Sequence, residues 1–223
     1  MTASASPLRC FHPGNLLTYA SLLAALGAIA CAGQRSPGLA GALIAVAVIL
    51  DTFDGRFARL FARDEDQRAI GGQLDSLVDA VSFGVAPAMC MLLLRWRPAS
   101  TFAKAAADRS AGLSTASAGL EVLWWISVFF FVACAVSRLA FYNVSHEQTD
   151  GFIGLPAPVA ALIWATVLLL NPGIAASTAV FTTTAVAMVL PLPIPRPQGL
   201  SLAAFVCWPM LVIVAHVGTL APP

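Results

Sequence analysis

The chain has 223 residues, 59% hydrophobic and only 10% charged, with a mean hydropathy of +0.83, which excludes an ordinary soluble domain and points to a polytopic membrane protein. A net charge of +1 carries none of the basic excess of a nucleic-acid-binding protein. The five cysteines form no CxxC pair, so they read as small apolar side chains and not as a metal cluster or disulfide framework.

A spanning helix needs ~20 mostly apolar residues. Residues 1–14 read as an N-terminal interfacial segment. Pro7, Pro13 and Gly14 precede the first long apolar run, and no A-x-A-like site follows a short apolar stretch, so no cleaved secretory signal is expected. Apolar segments then cover 15–32, 39–60, 71–94, 120–142, 155–170, 174–190 and 200–220. The turn signals GQRSPG, Asn171-Pro172-Gly173 and PLPIPRP separate them. Residues 95–119, rich in Ala and Ser, read as an extramembrane loop. The fold class is therefore all-α: a membrane domain over 15–195 and an additional C-terminal transmembrane segment over 196–223. Pro156 and Pro158 suit the start of the fifth helix, and Trp124, Trp125, Trp164 and Trp208 suit an interfacial belt. With the N-terminus inside, seven basic residues (Arg9, Arg56, Arg59, Arg63, Arg68, Arg138, Arg196) face the cytoplasm and five (Arg35, Arg95, Arg97, Lys104, Arg109) face away.

The informative stretch is ILDTFDGRFARLFARDEDQRAIGGQLDSLVDAVSF at 49–83. Ionisable groups in membrane helices cost on the order of 3 kcal/mol each, so carboxylates here should face inward, pair with cations or hold metal. Asp51, Asp54, Gly55, Ala58 and Arg59 share one helical face, and Asp75 and Asp79, four apart, share another with Ser82. Clustered carboxylates suit hard divalent cations such as Mg²⁺ or Mn²⁺. Gly55 and Ala58 leave room for a bulky ligand, Arg59 suits a phosphate, and Asp79 suits a general base. The intervening Arg63, Asp64, Glu65, Asp66 and Arg68 read as a solvated loop.

Asp54-Gly55-x2-Ala58-Arg59, then Gly71-x3-Asp75-x3-Asp79, with Asp51 three residues upstream, resembles the signature of the CDP-alcohol phosphatidyltransferase family. The resemblance implies a six-helix core, here with a C-terminal addition, and a multi-pass membrane protein with its site on the cytoplasmic side. It implies two divalent ions held by Asp51, Asp54, Asp75 and Asp79, with Asp79 deprotonating the acceptor alcohol. Asp51, Asp54, Gly55, Ala58, Arg59, Gly71 and Asp75 would contact the CDP moiety, and CMP would leave. It also suggests a homodimer. The stretches NLLTYASLLAALGAIA, GGQLDSLVDAVSFGVAPA, SRLAFYN, GFIGLPAP and MVLPLPIP are similar to those of the membrane-type phosphatidylserine synthases. That similarity implies CDP-diacylglycerol and L-serine as substrates, with Arg138, Ser82 and Asn143 at the acceptor or phosphate.

Two departures stand out. The family usually has about eight residues between the Arg and Gly of its motif; here 60–70 is eleven, an inexpensive loop extension. The serine-synthase pattern RLARFN reads Arg138-Leu139-Ala140-Phe141-Tyr142-Asn143, so Phe141 stands where an Arg is usual. Glycerol 3-phosphate, inositol or inositol phosphate are the alternative acceptors. A prenyltransferase would carry its Asp-rich motifs on widely separated helices, whereas Asp54 and Asp75 are 21 residues apart. An ion or metal transporter would bury carboxylates near the midplane, often on broken helices.

Overall fold

The computed structural model describes residues 11–95, 115–145, 152–194 and 199–219. Most of the expected interfacial N-terminus and of the expected 95–119 loop lies outside them. A short 3₁₀ turn (Pro13–Asn15) opens α1 (Leu16–Gly33), followed by α2 (Pro37–Ala58) and α3 (Glu65–Asp79). α3 continues through a π-helical turn (Ala80–Val85) into α4 (Ala86–Arg95). Then come α5 (Thr115–Ser145), α6 (Ala157–Leu168), α7 (Ile174–Val189) and α8 (Leu200–Gly218).

Among the described residues, five stretches are long and apolar enough to cross a membrane: Pro13–Gly33, Pro37–Ala58, Glu65–Arg95, Gly119–Val144 and Ser201–Gly218. The expected fifth and sixth spans form shorter apolar helices, α6 and α7. α6 stops early because Asn171 takes a left-handed backbone (φ 44) just before Pro172, which cannot continue a helix. One strand pair, β1 (Phe152–Ile153) with β2 (Pro193–Ile194), is the exception to all-α among the described residues and clips the segment before α6 to the end of α7. Gly154 follows the clip at φ +74, and a side chain there would run into the Met188 carbonyl, so this turn requires glycine.

In lipid the hydrophobic effect does not drive helix against helix; close packing does, and small residues permit it. α1 buries Ala24, Ala25, Ala28 and Ala32, and α2 buries Ala40, Gly41, Ala45 and Ala47, so the two lie close enough for the Ser21 hydroxyl to donate to the Ala47 carbonyl at 3.1 Å. Larger rings fill the other side of the core. Trp164 packs on Phe181 with centroids 4.2 Å apart, and Phe181 meets Phe131 at 5.0 Å. Trp164 is completely buried, which corrects its expected place in an interfacial belt: the short α6 is enclosed by neighbours and has no lipid face there. Trp125, half exposed, does face outward.

The π turn has a local cause. Proline lacks an N–H, and its ring collides with the carbonyl four residues back. Pro87 would meet that of Phe83, and the helix widens just before it: the Ala86 N–H bonds the Val81 carbonyl, five residues back.

α8 packs onto α2 and α6. His216, fully buried, places Nε2 2.7 Å from the Ala165 carbonyl oxygen. Its ring occupies the space a β-carbon would need on Gly41. Gly41→Ala is therefore expected to cost about 1–3 kcal/mol by overpacking and to lower the thermal midpoint in detergent. His216→Ala in the same chain makes room for the methyl, so the double variant should lose less than the sum of the two singles. Additive losses would mean that the two residues do not meet.

Candidate active site

The α2–α3 hairpin brings the two aspartate pairs together at one end of the bundle. Asp51, Asp54 and Asp75 each offer a carboxylate oxygen, and these lie within 4.8 Å of one another. Asp79, one turn beyond Asp75, lies against Asp51, while Asp75 lies against Asp54. Buried oxygens Asp75 Oδ1 and Asp79 Oδ1 have no hydrogen-bond partner. Such atoms are costly unless something else satisfies them. An all-oxygen, mutually repelling set of this kind fits a hard divalent cation, and the Asp51, Asp54 and Asp75 carboxylates could hold one.

The hydroxyl of Thr18 in α1 donates to Asp54 Oδ2 at 3.0 Å, both groups being buried. This contact orients the carboxylate from behind, as partners of metal ligands do. Thr18 and the buried Asn15 lie on one face of the start of α1 and line a cavity of about 200 Å³ beside the aspartates. Gly55 and Ala58 of α2 and Gly71 of α3 form small-residue walls of the same cavity. The sequence reading missed Asn15 and Thr18. The available signal was two polar residues three apart at the mouth of an otherwise apolar helix.

The basic residues are placed differently from the expectation. Arg59 is the exposed C-cap of α2 and is not among the residues lining the cavity, whereas Arg63 and Arg68 are. This corrects the reading of the charged stretch as merely a solvated loop. The segment is held in shape by local bonds. Asp64 caps α3 by accepting from the Gln67 N–H at 2.7 Å, and the Gln67 side chain accepts from the Asp64 N–H at 3.1 Å. Arg68 donates through Nε and Nη2 to the Arg63 carbonyl at 3.2 and 3.1 Å.

On the other side of Asp79 stands Arg138 from α5, buried and close enough for the two charges to interact. Its guanidinium lies 4.5 Å from the centre of the Tyr142 ring. The Tyr142 hydroxyl accepts from the Ile153 N–H and donates to the Ile153 carbonyl, which fixes the ring to the strand clip. Arg138 Nε is buried without a partner. Ser82 Oγ, in the π turn, is likewise buried and unpartnered, where a hydroxyl in a membrane helix usually bonds the carbonyl four residues back. Asn143 accepts from Ser76 Oγ at 2.6 Å, tying α5 to α3 beside the site. Phe141 is half exposed and meets Tyr142 edge-on.

Comparison with known proteins agrees with this geometry. The family model described as CDP-alcohol phosphatidyltransferase matches residues 11–192. A Mycobacterium tuberculosis protein named CDP-diacylglycerol–serine O-phosphatidyltransferase is 34% identical over 160 residues, 66% of this chain and 46% of that protein. The Helicobacter pylori protein of the same name is 31% identical over 168 residues, 74% of this chain and 60% of the relative. The archaetidylserine synthase of Methanothermobacter thermautotrophicus is 32% identical over 123 residues, 54% and 42% of the two chains. The chain thus spans about half the length of the curated relatives it matches. With most of its length matched and five helices among the described residues long and apolar enough to span a bilayer, the chain is an integral membrane protein and belongs to the CDP-alcohol phosphatidyltransferase family.

Proposed function

We propose that the chain transfers the phosphatidyl group of CDP-diacylglycerol to the hydroxyl of L-serine, giving phosphatidylserine and CMP. The observation that carries this reading is the gathering of four aspartates from α2 and α3 with a buried arginine beside the fourth. The names of the mycobacterial and Helicobacter relatives support serine as the acceptor. Residues 15–195 act as the catalytic membrane domain, and the C-terminal α8 is an added helix braced on α2 and α6.

Asp51, Asp54, Asp75 and Asp79 would hold two divalent ions, Mg²⁺ or Mn²⁺. Such ions, when bound, neutralise a diphosphate and the charge that develops on the departing CMP. Thr18 keeps Asp54 turned toward that position. Gly55 and Ala58 present backbone and a single methyl, so the CDP moiety can lie close to α2. Asp79 takes the proton of the serine hydroxyl as the oxygen forms its bond to the phosphorus that bears diacylglycerol. The bond from that phosphorus to CMP breaks, and its electron pair leaves with CMP. Arg138 holds the serine carboxylate, with the Ser82 hydroxyl and Asn143 at the edge of the same pocket. With Phe141 in place of an arginine, Arg138 does this alone. The site lies on the cytoplasmic face. Among the described residues Arg56, Arg59, Arg63, Arg68 and Arg138 cluster at the aspartate end, against Arg35 and Arg95 at the other.

The test is CMP release from CDP-diacylglycerol by the protein purified in detergent, with serine, glycerol 3-phosphate and inositol as separate acceptors. Release with serine alone, abolished by chelation and restored by Mg²⁺ or Mn²⁺, is expected. Release with another alcohol but not with serine would replace the acceptor assignment. Thr18→Val keeps the shape of the side chain and removes only the hydroxyl. It is expected to raise the metal concentration for half-maximal activity about tenfold. An unchanged metal requirement would remove Thr18 from the site.

A further inference from the structure

The lengthened α2–α3 loop delivers arginine into the cavity, and its placement suggests a role. The Arg63 side chain runs between two glycines. A β-carbon on Gly14 would stand 3.4 Å from Arg63 Cδ, and one on Gly71 would stand 3.0 Å from Arg63 Nη1 and 3.2 Å from Asn15 Oδ1. The contact at Gly14 is ordinary packing and the one at Gly71 is tight, so the Arg63 guanidinium enters the cavity across the open face of Gly71. Arg68 then fixes the backbone from which Arg63 projects, with two of its donors on the Arg63 carbonyl. The capping box at Asp64 and Gln67 fixes where α3 begins, directly after it.

Asp54 and Asp75, two of the candidate metal-holding carboxylates, line the same cavity. A substrate bearing a diphosphate needs its outer oxygens met from the other side. A guanidinium suits this, because its fork of N–H donors matches phosphate oxygens in pairs. Arg59, given that role by motif spacing, is exposed and outside the cavity.

We propose that Arg63, delivered by the extended loop and positioned by Arg68, is the phosphate-binding arginine on the nucleotide side of the site, in the role that the motif spacing assigns to Arg59. This rests on the reading of CDP-diacylglycerol as the donor substrate. Arg63 contacts the substrate; Arg68 is a positioning residue.

The experiment measures CDP binding in Mn²⁺ by calorimetry on purified protein in detergent, alongside the KM for CDP-diacylglycerol and for serine. Arg63→Gln, which keeps most of the stem between Gly14 and Gly71, is expected to weaken CDP binding about tenfold to a hundredfold, the effect of losing a charge-assisted contact. The KM for CDP-diacylglycerol should rise in parallel, and that for serine should stay within about twofold. Arg63→Lys should recover part of the loss. Arg68→Ala should weaken CDP binding less than Arg63→Gln, and Arg68→Lys should not fully restore it, because one ammonium cannot replace two donors in a fork. Gly71→Ala, which crowds the Arg63 guanidinium without removing it, should weaken CDP binding less than Arg63→Gln. Arg59→Gln should change CDP affinity by less than about threefold. If Arg59→Gln shows the large loss and Arg63→Gln does not, the assignment returns to Arg59 and the inference is wrong while the donor substrate stands. If the unaltered protein binds no CDP, the donor reading fails and this inference fails with it. An equal rise in the KM for both substrates, together with lost thermal stability in Arg63→Gln and Arg63→Lys alike, would make Arg63 structural and overturn the proposal.

Discussion

Asp79→Asn is expected to reduce turnover by about 10²- to 10⁴-fold, the range a positioned general base supplies, while binding of the CDP-lipid persists. The substitution is nearly isosteric and keeps one oxygen to face a cation, but the amide cannot accept the acceptor's proton. Asp79 is proposed as the base among the four aspartates because of its position. Asp51, Asp54 and Asp75 converge on one another, whereas Asp79 sits a turn deeper with Arg138 beside it. Asp54→Asn should behave differently: CDP binding in Mn²⁺ should weaken, because a ligand has been weakened and Thr18 is left donating to an amide. The contrast is measured by calorimetry for CDP and by single-turnover CMP release. Asp79→Asn with undiminished turnover would remove it as the base, and loss of CDP binding equal to that of Asp54→Asn would make it a ligand only.

Much of this site could be read from the sequence because its chemistry is local. Asp51 and Asp54 are one helical turn apart, as are Asp75 and Asp79, and a short connection forces two such helices to lie antiparallel. Carboxylates in an apolar chain leave few other interpretations. The residues that the sequence did not disclose are those whose meaning depends on a distant partner. Thr18 looks like any hydroxyl near a helix start, and only the packing of α1 on α2 turns it onto Asp54. Trp164 looks like an interfacial aromatic until the shortness of α6 encloses it. Arg63 and Arg68 flank three consecutive acidic residues in a run with no apolar periodicity, which by itself means solvent. The overlooked local signal was Asp64-x-x-Gln67, a capping box that ends the loop sharply and leaves a short, restrained segment in front of it. Pro87 was a second such signal, since a proline so close behind Asp79 leaves the helix there unable to remain regular.

Arg138→Gln is expected to raise the KM for serine about tenfold to a hundredfold, with the KM for CDP-diacylglycerol changed by less than about threefold. A hydrogen-bonded charge contact contributes about 1.5–3 kcal/mol, which at about 1.4 kcal/mol per decade gives that range. Burying an arginine in a membrane helix is expensive unless its charge is used. Here the guanidinium rests on the Tyr142 ring, reaches toward Asp79 and retains a buried Nε with no partner. One explanation is purely structural, with Arg138 present to offset the aspartates. The two roles separate on substrate choice. If Arg138 holds the serine carboxylate, the unaltered protein should use serine well and serine methyl ester poorly, and Arg138→Gln should lose most of that discrimination. If it only offsets charge, the substitution should impair both compounds equally and should tighten metal binding, because the aspartates would gain in affinity for a cation. Arg138→Lys should restore little, since an ammonium on a flexible stem neither stacks on Tyr142 nor offers paired donors to a carboxylate. Phe141 sharpens the prediction. Its half-exposed ring supplies no donor, so no neighbouring cation at that position can substitute for Arg138. Phe141→Arg in the Arg138→Gln background is accordingly expected to recover less than a tenth of the lost serine efficiency, and full recovery would show that the acceptor carboxylate is held from the outer face of α5 instead.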